Sequence, residues 1–347
     1  EIKEINVLKN KLSTLEENNG FIVQIGECAE RFVQANKEDI FSRVEQIQNF
    51  AKQLQGKNII KIGRIAGQYA KPRNQDTEII NGTILPIYRG DMVNDKAFDT
   101  SLRKPDFNRL KIAYNKSKYS KELINKLTDD LYTSHEGLIL DYEAALTKVY
   151  EGVFYASSAH LLWLGERTRF NDSAHIEYLS GIVNPIGIKI SANTNPDDLF
   201  AIISKINPTN EKGKIILIAR MGVDFISKHL PKIIEKIKQD NLSVLWMCDP
   251  MHGNTKQVKN NYKTRFIDDI INEIILFYNI LKKYNLYWSG LHLETSYEDI
   301  IECVINASAT DQIKKDKYLT ACDPRLNQEQ LSQVAGLFNK LQNMEKI

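Results

Sequence analysis

The stretch Ile186-Gly187-Ile188-Lys189-Ile190, then Asn195-Pro196-Asp197-Asp198, then Ile215-Ile216-Leu217-Ile218-Ala219 decides the fold. The first and last runs are short, apolar and rich in β-branched residues, as buried strands demand. Between them Asn195 offers a side-chain cap, Pro196 takes the first helical position, and Asp197 and Asp198 face the positive end of the helix dipole. Strand, capped helix and strand in that order form a parallel βαβ unit.

The alternation extends both ways along the 347 residues. Strand-like runs fall at 21–25, 59–65, 160–164, 186–190, 215–219, 244–248, 290–293 and 318–321. Helical spacing of three and four marks 39–54, where Ile40, Val44, Ile47, Phe50, Ala51 and Leu54 share a face. It recurs at 225–237, 266–284 and 327–341. Eight strands alternating with helices predict an α/β (β/α)8 TIM barrel. Residues 66–159 are too long for one crossover and read as an elaborated loop after the second strand, with helical pieces at 122–131 and 142–149. Residues 1–20 read as a short N-terminal helix outside the barrel, leaving 21–347 as one catalytic unit. The apolar face of that helix (Ile5, Leu8, Leu12, Leu15) is suited to pack on another subunit, which predicts a homo-oligomer.

Composition narrows the class. Hydrophobic residues at 42% and charged residues at 26% exclude wholesale disorder. A net charge of +2 argues against a general nucleic-acid or membrane-surface binder. No apolar run approaches the ~20 residues that span a bilayer, and the charged start lacks a secretory h-region. Four cysteines in so long a chain make no disulfide scaffold. A cytoplasmic enzyme is the expectation.

In a barrel the chemistry lies on the loops leaving the C-terminal ends of the strands, and every one of these ends carries an ionisable residue. Cys28, His252, Glu294 and Asp323 fall after the first, sixth, seventh and eighth runs, neighbours once the barrel closes. A thiolate, an imidazole and two carboxylates suit one divalent ion of borderline character: Mn²⁺, Co²⁺, Fe²⁺ or Zn²⁺, and not Mg²⁺. Each also has an ordinary reading, since a lone cysteine after a strand is more often inert core, and His292 offers a second imidazole beside Glu294. The opposite arc is cationic, with Arg64, Lys71, Arg73, Arg167, Lys189 and Arg220. Singly each is a solvated charge. Together they call for anionic partners, because guanidinium pairs bidentately with phosphate and carboxylate. Set against the metal and its anionic ligands, they leave an excess of roughly +5, which two phosphorylated substrates of about −1.5 to −2 per phosphate, one of them also a carboxylate, would nearly neutralise.

Seven strings carry a resemblance: 26–30 (Gly-Glu-Cys-Ala-Glu), 63–73 (Gly-Arg-Ile-Ala-Gly-Gln-Tyr-Ala-Lys-Pro-Arg), 89–91 (Arg-Gly-Asp), 133–136 (Thr-Ser-His-Glu), 163–169 (Trp-Leu-Gly-Glu-Arg-Thr-Arg), 249–255 (Asp-Pro-Met-His-Gly-Asn-Thr) and 320–327 (Thr-Ala-Cys-Asp-Pro-Arg-Leu-Asn). In order, over roughly residues 20 to 330, they resemble the type II, plant-type, 3-deoxy-D-arabino-heptulosonate 7-phosphate (DAHP) synthases. The resemblance implies condensation of phosphoenolpyruvate with erythrose 4-phosphate, the first step of the shikimate pathway. It implies a metal on Cys28, His252, Glu294 and Asp323, Mn²⁺ or Co²⁺ foremost, with His292 not a ligand. It assigns phosphoenolpyruvate to Arg64, Lys71, Glu166, Arg167, Lys189 and Arg220, and the aldose phosphate to Arg73 and the turn after it.

Two departures stand out. Asn74 occupies a position where the family usually has Ser, which leaves the choice of aldose open. The segment 113–132 and the N-terminal extension are shorter than in long members, where they build aromatic amino-acid feedback sites. A short, feedback-insensitive form is implied, of the kind found beside secondary-metabolite pathways. Lys71, Arg64 and His252 are the expected catalytic groups, Lys71 as proton donor, water-orienting group or plain phosphate clamp. Cys322 adjoins Asp323, so the thiols of Cys28 and Cys322 are expected close enough to oxidise together. Other readings are a synthase for an amino-substituted erythrose phosphate, a non-catalytic phosphometabolite-binding subunit and a structural interaction protein. No residue supports a partner enzyme such as chorismate mutase.

Overall fold

The computed structural model describes residues 1–80, 82–258 and 262–344. Eight strands close into a parallel barrel: β1 (Gly20–Gly26), β2 (Asn58–Arg64), β3 (Leu131–Glu136), β4 (Leu161–Leu164), β5 (Ile186–Ile190), β6 (Ile215–Ala219), β7 (Leu245–Cys248) and β8 (Trp288–Glu294). Each pairs with its sequence neighbours, and β8 closes on β1. The outer ring comprises α2 (Lys37–Gln53), α3 (Asn108–Leu127), α4 (Leu140–Ala145), α5 (Ala174–Gly181), α6 (Pro196–Ile206), α7 (Ile226–Gln239), α8 (Ile267–Lys283) and α9 (Gln328–Asn343). Asn195 caps α6 by accepting from the amides of Asp197 and Asp198, as its sequence predicts. Asn327 and Gln330 form a capping box at α9.

Two strand expectations need correction. The third strand is β3, not 160–164, which is the fourth. The sequence of β3, Leu-Tyr-Thr-Ser-His-Glu, conceals it because Ser134 and Glu136 on alternate positions break the apolar run. Residues 66–159 are thus not only a loop: an antiparallel hairpin (Thr77–Ile80 with Thr83–Pro86), α3 and β3 lie within them. Of the helical piece expected at 122–131, residues 122–127 end α3 and Leu131 already opens β3, and the piece at 142–149 divides between α4 and the strand Thr147–Tyr150. The second correction is at 318–321, where there is no strand. The amides of Leu319 and Thr320 bond the carboxylate of Glu302 instead of a ladder.

The N-terminal helix α1 (Ile2–Ser13) corrects a third expectation. Ile5, Leu8, Leu12 and Leu15 are at most 1% exposed. Leu8, Leu12 and Leu15 pack on Ile22, Ile60, Ile62, Ile216, Ile218 and Met247, plugging the N-terminal end of the barrel. Each buried leucine is worth about 1.5–3 kcal/mol. The face expected to meet another subunit is used within the chain.

Side-chain alternation along strands turns this plug into a layered interior. On β6, Ile215, Leu217 and Ala219 face the helices while Ile216 and Ile218 face inward. Two-residue steps from inward Ile60 and Ile62, Tyr132, Ile216 and Ile218, and Met247 lead to Arg64, Glu136, Arg220 and Asp249. Apolar layers fill the bottom and ionisable groups crown the C-terminal mouth.

Candidate active site

Register fixes the centre of the mouth. Gly26 at the end of β1 lies opposite both Arg64 of β2 and Glu294 of β8. Glu294 is fully buried, and its Oε1 lies 3.0 Å from Arg64 Nη2, 3.1 Å from Lys71 Nζ and 3.1 Å from His252 Nε2. Its Oε2 pairs with Arg265 Nη2 at 2.8 Å. Burial opposes ionisation of Glu294, but His252 and these cations outweigh it and hold the carboxyl well below its usual range. Asp323 joins from the loop after β8, 2.7 Å from Lys71 Nζ and 3.0 Å from Lys263 Nζ. Its carboxyl is also far below the usual range, Lys71 outweighing burial.

His252 is aimed by Asp249. Its Nδ1 lies 2.8 Å from Asp249 Oδ2 and 3.0 Å from Oδ1, which leaves Nε2 facing Glu294. A carboxylate fixing the far nitrogen of an imidazole is the usual support of a metal-binding histidine. Cys28 is buried, with Sγ 3.5 Å from the Thr320 hydroxyl. A hydrogen bond from Cys322 lowers its thiol first, against burial, and Lys71 assists, bringing it down to about 6. Cys28 and Cys322 share one small buried cluster with Ala29 and Tyr88.

His292 stands apart from this set. Nδ1 meets Gln24 Oε1 at 2.7 Å and Nε2 meets Arg64 Nη1 at 2.6 Å, and burial, then Lys189 and Arg64, hold it neutral. Asp249, His252 and His292 do bring ligand atoms within 4.8 Å of one another. Both nitrogens of His292 are already engaged, however, and Arg64 and Lys189 press on that cluster with positive charge. Of the expected donors Cys28, His252, Glu294 and Asp323, the structure joins His252 directly to Glu294, while Cys28 and Asp323 stand at the same mouth without completing a group of three ligand atoms with them among the described residues.

The cationic arc faces the same cleft, about 450 Å³ including the space it shares with solvent. Arg64, Lys71, Glu166, Arg167, Lys189 and Arg220 line it together with Cys28, His252, Gln68, Glu136 and Trp163. Lys189 Nζ lies 2.5 Å from Asp249 Oδ2, and burial, eased by Asp249, brings its ammonium down to about 8. Glu166 accepts from Arg169 and Ser191 and sits 4.0 Å from Arg220 Nη1, so it orients cations around the cleft. The guanidinium of Arg64 is largely engaged, donating to the carbonyls of Glu27 and Cys28 and lying over the Trp163 ring at 5.0 Å. Arg73 lies at the outer rim, its Nη1 donating to the Tyr88 carbonyl. Asn74 Oδ1 accepts from Arg167 Nε at 2.7 Å.

Buried carboxylates shape the loops. Glu30 accepts from the amides of Ala66, Gly67 and Gln68, setting the turn that carries Lys71. Glu302 accepts from Leu319, Thr320 and Arg325, closing the loop that displays Asp323, and Arg325 also bonds Glu27 beside Cys28. Sequence reasoning placed Asp249 at a strand end but gave it no role. It missed Glu136, whose buried Oε1 has no hydrogen-bond partner and whose carboxyl burial pushes upward. The alternation of β3 would have found Glu136 had that strand been recognised. Arg265 and Lys263, which compensate Glu294 and Asp323, carry no local signal.

Comparison with known proteins agrees with this architecture. The model of the Class-II DAHP synthetase family matches residues 1–129 and 122–339. A phospho-2-dehydro-3-deoxyheptonate aldolase of Streptomyces coelicolor is 34% identical, covering 96% of this chain and 87% of that protein. Proteins of the same name from Mycolicibacterium smegmatis and Neurospora crassa are 32% and 33% identical, each covering 96% of this chain and 85% of the relative. Among solved structures, a truncated 3-deoxy-D-arabino-heptulosonate 7-phosphate synthase from Thermotoga maritima superposes with a TM-score of 0.52 at 14% identity, covering 95% of this chain and 89% of that one, a likeness of fold.

Proposed function

Because the chain belongs to the class-II DAHP synthetase family, we propose that it condenses phosphoenolpyruvate with erythrose 4-phosphate and water, yielding DAHP and inorganic phosphate. The observation that carries this reading is one cleft lined by Cys28 and His252 on one side and by Arg64, Lys71, Arg167, Lys189 and Arg220 on the other.

Cys28, His252, Glu294 and Asp323 would hold one divalent ion, Mn²⁺ or Co²⁺ foremost, which as a Lewis acid draws electrons from the aldehyde oxygen. Lys189, Arg220, Arg167 and Arg64 clamp the phosphate and carboxylate of phosphoenolpyruvate, with Glu166 and Asp249 fixing the cations in place. Arg73 and Asn74 at the rim receive the aldose phosphate. The methylene carbon of phosphoenolpyruvate then bonds to the aldehyde carbon, whose oxygen takes a proton. Water adds at C2, the bond from C2 to the phosphate oxygen breaks, and phosphate leaves. Lys71, held protonated by Asp323 and Glu294, stabilises developing negative charge. Glu136, pushed upward by burial and short of a partner, is the group suited to hand over or take the proton of the added water. The cations keep both substrates aligned, which supplies much of the acceleration.

The test is phosphate release from phosphoenolpyruvate with and without erythrose 4-phosphate, before and after chelation and Mn²⁺ or Co²⁺ repletion. Release requiring both aldose and ion is expected, and release indifferent to either overturns the reading. Asn74 on Arg167 supports a second reading, an amino-substituted aldose phosphate, which product mass distinguishes. The short segment at 113–132 supports insensitivity to aromatic amino acids, expected as unchanged rates in their presence. Homo-oligomerisation is proposed on the resemblance alone, with light scattering as its measure. No helix among the described residues is long and apolar enough to cross a membrane.

A further inference from the structure

The loops after β6 and β7 meet through their backbones. Gly222 has φ +85°, and a Cβ on Gly253 would lie 2.2 Å from the Gly222 nitrogen. This contact brings Arg220, two residues before Gly222, beside the segment carrying His252, whose carbonyl accepts from Arg220 Nη2 at 3.4 Å. The short hairpin in the second loop (Lys256–Gln257 with Lys263–Thr264) pairs within that loop and does not bridge it to the first.

What holds them is a fully buried carboxylate on α8. Glu273 Oε1 accepts from the amides of Met221 (3.1 Å) and Gly222 (2.9 Å), while Oε2 accepts from Asn254 Nδ2 at 2.6 Å. Asn254 completes the staple by accepting from the Val223 amide at 3.0 Å and donating to the Pro250 carbonyl at 2.9 Å. These bonds also fix which way its amide points. Burying an acid at this depth is costly: burial pushes Glu273 upward, while the bonds it accepts from Gly222, Asn254 and Met221 pull it back toward the ionised form. It touches none of the residues assigned to substrate or ion, so the mechanism gives it no use. A core filled for stability alone would be better served by an apolar or neutral side chain.

We propose that Glu273, acting through Asn254, is a positioning residue that sets Arg220 relative to His252 and so prepares the phosphoenolpyruvate subsite. The proposal rests on the function given above, in which Arg220 contacts phosphoenolpyruvate. Glu273→Gln separates its two tasks. The amide oxygen can still accept from Met221 and Gly222, but the amide nitrogen then opposes Asn254 Nδ2, donor against donor. Flipping the amide would lose two bonds to restore one.

The experiment titrates phosphoenolpyruvate onto ion-loaded wild type, Glu273→Gln, Asn254→Ala and the double variant, and melts each without ligand. Glu273→Gln is expected to bind phosphoenolpyruvate about tenfold more weakly with an unchanged or higher melting temperature, the split expected where a residue serves function at the expense of stability. Asn254→Ala removes the same hydrogen bond from the other side, so the double variant is expected to bind no worse than the weaker single one. Binding by Glu273→Gln within twofold of wild type, losses that add in the double variant, or a fall in the melting temperature of Glu273→Gln overturns the proposal. Wild type that takes up no phosphoenolpyruvate brings down the function itself, an outcome distinct from intact binding in Glu273→Gln.

Discussion

The ammonium of Lys71 lies 2.7 Å from Asp323 Oδ2, inside the arc of carboxylates read as ion ligands. Burial works to discharge it, but Asp323 and Glu294 outweigh burial and keep it protonated. One cation thus stands where a second would come, and the two must share the charge of both acids.

Lys71→Met removes one positive charge and leaves two anions less compensated. Divalent-ion affinity is expected to hold or rise, while turnover falls by about 10²- to 10³-fold as a charge-stabilising group is lost. Competition with a coloured chelator measures the first and phosphate release the second. Turnover within tenfold of wild type sinks the role given to Lys71.

Cys28→Ser and His252→Ala are each expected to lose ion binding and turnover together. The thiolate-to-Co²⁺ absorption of cobalt-loaded wild type should vanish in Cys28→Ser. Either variant retaining full activity in chelated buffer shows that the ion does not sit on these residues.

Lys189 supplies the pH dependence. Burial, partly offset by Asp249, puts its folded value at about 8, below the unfolded value of about 10.4. Binding of an anionic substrate is therefore present below pH 8 and lost as pH rises through it. The stability sign is opposite: the unfolded chain binds more protons between these values, so stability rises with pH there. The kcat/KM profile for phosphoenolpyruvate is expected to show an alkaline limb near 8 that Lys189→Arg abolishes, since guanidinium does not titrate there. A limb unchanged in Lys189→Arg assigns it elsewhere.

Cys28 and Cys322 pack in one small buried cluster with Ala29 and Tyr88. In ion-free protein, diamide is expected to take two electrons and two protons from the pair and leave a disulfide. Mass spectrometry after alkylation then counts two fewer free thiols, at these positions. Four alkylated cysteines after treatment exclude the pairing, and prior Mn²⁺ loading is expected to slow it.

The plug can be weighed separately from the chemistry. Leu12→Ala opens a cavity between α1 and the barrel floor and is expected to cost about 2–5 kcal/mol of stability, with little change in phosphoenolpyruvate affinity. Denaturant melts measure it, and a cost below about 0.5 kcal/mol would mean that α1 is dispensable to the barrel.

Much of the mouth was legible because strands alternate. Once 59–65 and 215–219 read as strands, Arg64 and Arg220 fell at their ends, and the capped helix at Asn195 marked the crossover between two parallel strands. β3 escaped because two of its three inward residues, Ser134 and Glu136, are polar where a run of hydrophobics marks the other strands. Residues 318–321 misled in the other direction. Their apolar character suits a loop whose amides are satisfied by the side chain of Glu302 rather than by a neighbouring strand.

Residue order alone determined the repeat of strand and helix, the periodicities, and which ionisable groups end the strands, since each depends on neighbours a few positions apart. Only the folded chain decided that α1 turns its leucines into its own barrel, that Asp249 aims His252 and holds Lys189, and that Arg265 and Lys263 share the acids. Those are contacts across tens to hundreds of residues, chosen because a buried charge must find an opposite charge or a donor wherever the chain brings one. No local pattern encodes that choice.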